Sequence, residues 1–155
     1  VGVHTVSFVC HSMGGLVARA LLADRGAPWR KKITPHRLVM IGTPNQGTFV
    51  AEELSKRSRL FRLIAGPSGI QLTPEWVNAL PTPDIDFGII AGGTGDSKGF
   101  NPFLPGDDDM TVTVKSAKLE GAKDFLLCRA IHTFIMQNPR AVDATIHFIQ
   151  HGHFN

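Results

Sequence analysis

Cysteine is scarce in this chain. Cys10 and Cys128 are the two among 155 residues, too few for a disulfide framework. Both fall in apolar runs, which reads them as small core hydrophobes. No stretch approaches the roughly 20 apolar residues of a membrane span. No basic n-region opens the chain, because Val1 leads straight into a strand-like run; a cytoplasmic setting is the expectation that goes with these absences. The net charge is only +3, and the basic residues are scattered apart from Lys56, Arg57, Arg59 and Arg62. Without a basic stripe interleaved with aromatics, nucleic acid is not an expected partner. No His/Cys/Asp cluster has metal-ligand spacing, and His151-x-His153 alone is a weak pattern, so neither metal nor cofactor is expected. Internal repeats and low-complexity tracts are also missing. What is present is an ordinary globular composition, 43% hydrophobic and 19% charged, enough for one domain over residues 1–155. The chain does not begin with Met, and the expectation is that something upstream is absent.

Val3 to Cys10 is apolar and β-branched, the pattern of a strand buried on both faces. Met13 to Asp24 places Leu16, Val17, Ala20 and Leu21 at helical spacing, with Gly26 closing the helix. Arg37–Ile41, Phe87–Ala91 and Phe125–Arg129 read as three further strands. Pro139 to Gln150 reads as a last helix with Val142, Ile146 and Ile149 on one face. Between Thr48 and Pro83 the alternation breaks. Val50, Leu54, Phe61 and Ile64 share a helical face opposite the basic cluster, and a shorter helix follows around Thr73–Leu80. The order strand, helix, strand, insertion, strand, loop, strand, helix predicts an α/β fold with a mostly parallel sheet flanked by helices.

The residues Cys10-His11-Ser12-Met13-Gly14-Gly15 stand at the first strand-to-helix junction. They match a nucleophile elbow, G-x-S-x-G, with Cys in the first position. Such a turn lifts a serine hydroxyl above the sheet in a strained backbone conformation. Small residues are expected two before and two after it. The Met13 N–H is left at a helix N-terminus, where it can donate to an oxyanion. The bland alternative is a Gly-rich turn in which Ser12 merely caps the helix.

HSMGGLVAR followed by LVMIGTPNQGT resembles the α/β-hydrolase lipases and esterases, and the resemblance runs over nearly the whole chain. It implies a triad in the chain order Ser, Asp, His, with the acid in a D-G-x-V-x-V-x-S run. Asp109-Met110-Thr111-Val112-Thr113-Val114-Lys115-Ser116 fits that run with Met110 in place of Gly. His132 follows the fourth strand, where the family places its base. The resemblance also implies a cap or lid over residues 48–83. Its basic side reads first as solvated, with transient contact with a lipid surface as the other reading. In such enzymes a second oxyanion donor comes from a loop upstream of the elbow strand, so the N-terminal strands are expected to be missing. Self-association through an exposed edge of the first strand would follow.

Physical chemistry points to the same residues. A serine hydroxyl needs a neutral imidazole within reach, and that imidazole needs a carboxylate on its other nitrogen. Of seven histidines, only His132 directly follows a predicted parallel strand, where open α/β sheets gather their sites. His4 lies within a strand, His36 precedes one, and His147, His151 and His153 belong to the last helix or beyond. His11 abuts Ser12 but should point away from the hydroxyl, in a packing role. Among Asp107, Asp108 and Asp109 the valine register favours Asp109, with Asp108 as second choice. The resulting expectation is a serine ester hydrolase acting on small-molecule or lipid esters through an acyl-enzyme. Its rivals are a non-catalytic or truncated module that binds a partner, and an acyltransferase with the same triad.

Overall fold

The strands β2, β3 and β4 alternate two sets of apolar side chains, and each set finds its own layer of helices. The computed structural model describes residues 4–47 and 74–155. In chain order the elements are β1 (His4–His11), α1 (Met13–Ala23), β2 (Ile33–Ile41), α2 (Pro74–Ala79), β3 (Asp86–Gly93), α3 (Val114–Ala117), β4 (Asp124–Arg129) and α4 (Pro139–His151). Short 3-10 turns cover Pro28–Lys31 and Ile135–Gln137. The strands pair in parallel in the order β1-β2-β3-β4. Leu38, Met40, Phe87, Ile89 and Ala91 face Ala18 and Leu22 of α1 and Ala117 of α3. Val39, Ile41, Ile90, Leu126 and Cys128 face Ala141, Ala144 and Phe148 of α4. Because both faces are covered, β2 and β3 read as continuous apolar runs rather than alternating ones.

Two expectations need correction. The first strand is not buried on both faces. Its side chains are half-buried or exposed, Val9 at 54%, and it pairs with β2 alone among the described residues, which leaves the exposed edge that was expected. On the α4 side, Val9, Ile41, Met136, Val142 and Ile146 line an open apolar groove of about 230 Å³. Cys10 accordingly is half-buried, whereas Cys128 is buried. The second strand begins at Ile33, four residues before the expected Arg37. Pro35 hides this from the sequence, since proline cannot donate to a ladder. The structure seats it opposite Val6, where the β1–β2 register shifts. The Asp109–Ser116 run leads into the short helix α3, capped by the Thr113 side chain accepting from the Ser116 N–H. Most of the expected 48–83 cap, including its basic cluster, lies outside the described residues; its last part contains α2.

A buried arginine joins α1 to Asn45 and to the 77–81 stretch that contains the end of α2. Arg19 is 2% exposed. Its guanidinium donates to the carbonyls of Asn45 (3.2 Å), Leu80 (2.6 Å), Val77 and Pro81, and to the Asn45 side chain. Burial pulls its pKa below the usual arginine value, and the carbonyl array compensates for the lost hydration. No helix among the described residues is long and apolar enough to cross a membrane.

Candidate active site

All four parallel strands deliver a polar segment to the same end of the sheet. Ser12 follows β1, Gly42 and Thr43 follow β2, the 94–109 loop follows β3, and His132 lies beyond β4. The carboxyl end is where open α/β sheets assemble sites, because the strands diverge there and the following loops share one crevice.

Ser12 has φ 54° and ψ −129°, a conformation that costs a non-glycine residue about 1–3 kcal/mol. The surroundings enforce it. Its N–H donates to the Ile41 carbonyl at 2.8 Å, and its own carbonyl accepts from the Gly15 N–H at 3.1 Å and the Thr43 hydroxyl at 2.9 Å. Although Ser12 stands at the N-cap of α1, its side chain makes no capping bond. The hydroxyl is instead 2.9 Å from His132 Nε2, which disposes of the simple helix-cap alternative. The tight glycine of the elbow is Gly15, where a Cβ would collide with the Thr43 side chain. At Gly14, two after the serine, a Cβ would sit 3.8 Å from the Cys10 Cβ, an ordinary contact. The expected crowding between positions 10 and 14 is therefore absent, and Cys10 fits without strain.

His132 is held from both nitrogens and from its backbone. Nδ1 donates to Asp109 Oδ2 at 2.8 Å, and the His132 N–H donates to the Asp109 carbonyl at 2.7 Å. A carboxylate there can only accept, so the proton sits on Nδ1, leaving Nε2 a lone pair toward the serine hydroxyl. Asp109 is 1% exposed. Its other oxygen, Oδ1, accepts from the Thr111 and Val112 N–H groups at 3.0 and 2.7 Å, so this buried carboxylate is fully bonded. Close approach of the two loops depends on Gly92 at the end of β3. A Cβ there would lie 2.6 Å from the Ala130 carbonyl oxygen and 2.7 Å from the Asp109 Cβ.

The three consecutive aspartates are not a solvated run. Asp107 accepts from the N–H groups of Thr94 and Gly95 and from the Thr94 hydroxyl. Asp108, fully buried, accepts from the N–H groups of Asn101 and Met110. Only Asp109 of the three faces His132. Met110 follows with φ 83°, the left-handed region that explains why glycine belongs in the motif and costs an L-residue roughly 1–2 kcal/mol. The turn survives the substitution because the Met110 N–H and carbonyl are both bonded, to Asp108 Oδ1 (2.7 Å) and from Asn101 Nδ2 (3.0 Å).

His11 does point away from the serine. Its Nε2 donates to the His132 carbonyl at 3.0 Å, and the two rings lie 4.8 Å apart. Desolvation is the leading influence on its pKa and lowers it; the bond to the His132 carbonyl opposes this, and the His132 ring reinforces it. The thiols of Cys10 and Cys128 are pushed up by burial, which keeps them protonated and unreactive. The sequence reading missed Thr43 and Arg19. The G-T-P motif after β2 already pointed to Thr43, and Arg19 stood out as a charge on the Leu16–Leu22 face of α1. Met13 opens α1 directly after the serine.

The parallel sheet with helices on both faces and this crevice define an α/β fold resembling part of an α/β-hydrolase lipase. The solved mature form of lipase BlEst2 from Bacillus licheniformis superposes with a TM-score of 0.67 at 16% identity, over 97% of this chain and 66% of that one. The propeptide form gives a TM-score of 0.70 at 20% identity, over 94% of this chain and 36% of that one. The chain thus spans about two thirds of the mature lipase's length and about a third of the propeptide form's. At the level of sequence, it belongs to the family described as "Domain of unknown function (DUF7379)", whose model matches residues 3–83, just over half of the chain. No curated protein matches it.

Proposed function

We propose that the chain is a serine carboxylic ester hydrolase of the lipase and esterase kind. One observation carries this reading: an unbroken relay from the Ser12 hydroxyl through the His132 imidazole to the buried Asp109 carboxylate, with the serine in a strained turn. A serine alcohol becomes a competent nucleophile when an oriented, neutral imidazole takes its proton. Ser12 Oγ attacks the ester carbonyl while His132 Nε2 accepts the hydroxyl proton, and Asp109 stabilises the imidazolium. The N–H of Met13, at the start of α1, meets the developing oxyanion. Collapse of the tetrahedral adduct passes the proton from His132 to the departing alcohol and leaves an acyl-Ser12 ester. Water, activated by His132, then releases the acid.

An apolar acyl substrate is supported by the surroundings of the three residues. Met13, Met110 and Phe134 are each exposed, at 36%, 47% and 56%, and each lies within two residues of Ser12, Asp109 or His132. Large exposed apolar side chains next in the chain to the reacting groups favour a ligand with an apolar portion. An acyltransferase would use the same relay and differ only in the acceptor of the acyl group.

The test is labelling with a fluorophosphonate probe, mass mapping of the adduct, and turnover of short- and long-chain p-nitrophenyl esters. The adduct is expected on Ser12, with hydrolysis lost in Ser12→Ala. A folded sample that does not react, or reacts at another serine, would overturn the proposal. Product analysis with a competing alcohol separates transfer from hydrolysis.

A further inference from the structure

At the far end of α4, three histidines come together that take no part in the Ser12 site. His147 and His151 are one helical turn apart on α4, and His153 lies just beyond it. Gly152 takes a left-handed conformation, φ 85°, and its N–H donates to the Phe148 carbonyl at 2.8 Å. This turn folds residues 153–154 back along the helix. Phe154 is buried against Phe148, and its N–H donates to Asp124 Oδ2 at 2.8 Å. His153 is thereby held beside His147. The ring centroids are 4.4 Å apart for His147 and His151, 4.8 Å for His147 and His153, and 6.3 Å for His151 and His153.

We infer that His147, His151 and His153 form a surface site for a divalent transition-metal ion of the zinc type. Two imidazoles sharing one ion through Nε2, with metal–nitrogen distances of about 2.0–2.1 Å, have their ring centres about 4.5–5.2 Å apart. Two of the three spacings fall at or next to that range. The tautomers are also set. His147 Nδ1 donates to the His153 carbonyl at 2.9 Å and His153 Nδ1 to the Phe154 carbonyl at 3.0 Å. Each therefore keeps its lone pair on Nε2, and a backbone carbonyl on the other nitrogen is the usual outer partner of a metal-bound imidazole. As the side chains stand, no group of three His, Cys, Asp or Glu among the described residues is placed to hold a metal ion. Binding requires the exposed His151 ring, on the last turn of α4, to swing toward the other two. The Arg37 guanidinium also approaches Gly152, and its Nη1 is tied to the Ile149 carbonyl at 2.6 Å. Imidazole nitrogens suit zinc, copper and nickel, and water completes the coordination. The bound ion would tie the last turn of α4 to residues 153–154.

The experiment is calorimetric titration of Zn²⁺ into the full chain, prepared without a histidine tag, at neutral pH. One ion per chain is expected. Loss of an outer partner alone costs about 10–100-fold in affinity, so removing a ligand should weaken binding at least about tenfold. His147→Ala, His151→Ala and His153→Ala should each do so, while His36→Ala should leave binding unchanged. His153 lies outside the helix, so His153→Ala remains informative if a helical variant does not fold, with circular dichroism as the check. Zn²⁺ should also raise the melting temperature of the parent chain and not that of His151→Ala. The His11 and His132 rings are 4.8 Å apart as well, which makes His132→Ala the necessary control. No bound zinc, binding that survives His151→Ala, or binding abolished by His132→Ala would each overturn the inference.

Discussion

Replacing Asp109 by Asn changes one oxygen into an NH₂ group, and the structure decides which one. Asp109 Oδ1 accepts from two backbone N–H groups, those of Thr111 and Val112, while Oδ2 accepts one proton from His132 Nδ1. An asparagine has a single acceptor oxygen. It keeps that oxygen toward the two backbone donors, since the opposite orientation sets its NH₂ against both in a buried site where each unmet donor costs about 1–3 kcal/mol. The NH₂ group then points at His132 Nδ1. Two donors cannot share a bond, so the imidazole shifts its proton to Nε2, and Nε2 can no longer accept from Ser12. The loss is one of tautomer, with little change in geometry. In a serine protease the same substitution lowers turnover about 10⁴-fold, which corresponds to about 5.5 kcal/mol in the barrier. A fall of about 10³–10⁴ in kcat/KM toward a p-nitrophenyl ester is expected, with fluorophosphonate labelling of Ser12 slowed in parallel and the melting temperature little altered. Asp107→Asn should leave turnover within about tenfold, because its bonds go to Thr94 and Gly95. Asp108→Asn should lower thermal stability before it lowers turnover, because its carboxylate holds the Asn101 and Met110 N–H groups. Near-normal kcat/KM in a folded Asp109→Asn variant, or a larger turnover loss in Asp108→Asn, would exclude Asp109 as the group that fixes the His132 tautomer.

Three further outcomes follow from strain, burial and titration. Met110→Gly removes the positive-φ penalty of an L-residue, about 1–2 kcal/mol, against a flexibility cost of roughly 0.5–1 kcal/mol. Denaturant titration should therefore show a net gain of about 0.5–1 kcal/mol; a loss would mean that the half-exposed Met110 side chain contributes packing. Arg19→Met leaves the buried carbonyls of Asn45 and Val77 without their donor, and stability should fall by at least about 2–3 kcal/mol in the same assay; an unchanged midpoint would show that water replaces the guanidinium. His11, whose pKa is lowered on folding mainly by desolvation, binds fewer protons folded than unfolded, so stability should decline as pH falls below about 6.5. His11→Gln, which keeps a donor for the His132 carbonyl, should flatten that decline in melting curves between pH 7 and 5, and an identical slope in the variant would exclude His11 as its source.

Local pattern alone determined a good deal about this protein. The switch from an apolar run to helical spacing around Ser12 marks a strand-turn-helix, and the same logic marks β3, β4, α1 and α4, because burial imposes the period of each element on its own residues. The place of His132 directly after a strand is equally local. So is the preference for Asp109, since Val112 and Val114 carry a register that can be counted along the chain. Other features belong to the tertiary structure. A run such as Val3–Cys10 has the same composition whether its faces are covered or open, so only the structure showed that the β1 side chains are half-buried or exposed. Three adjacent carboxylates are alike in sequence, and only the paths of residues 94–95, 99–101 and 131–132 assigned each a separate partner. The left-handed Met110, the carbonyls around Arg19 and the approach of His153 to His147 are likewise long-range or conformational facts. Each depends on where a distant backbone segment comes to rest, and no local spacing encodes that position.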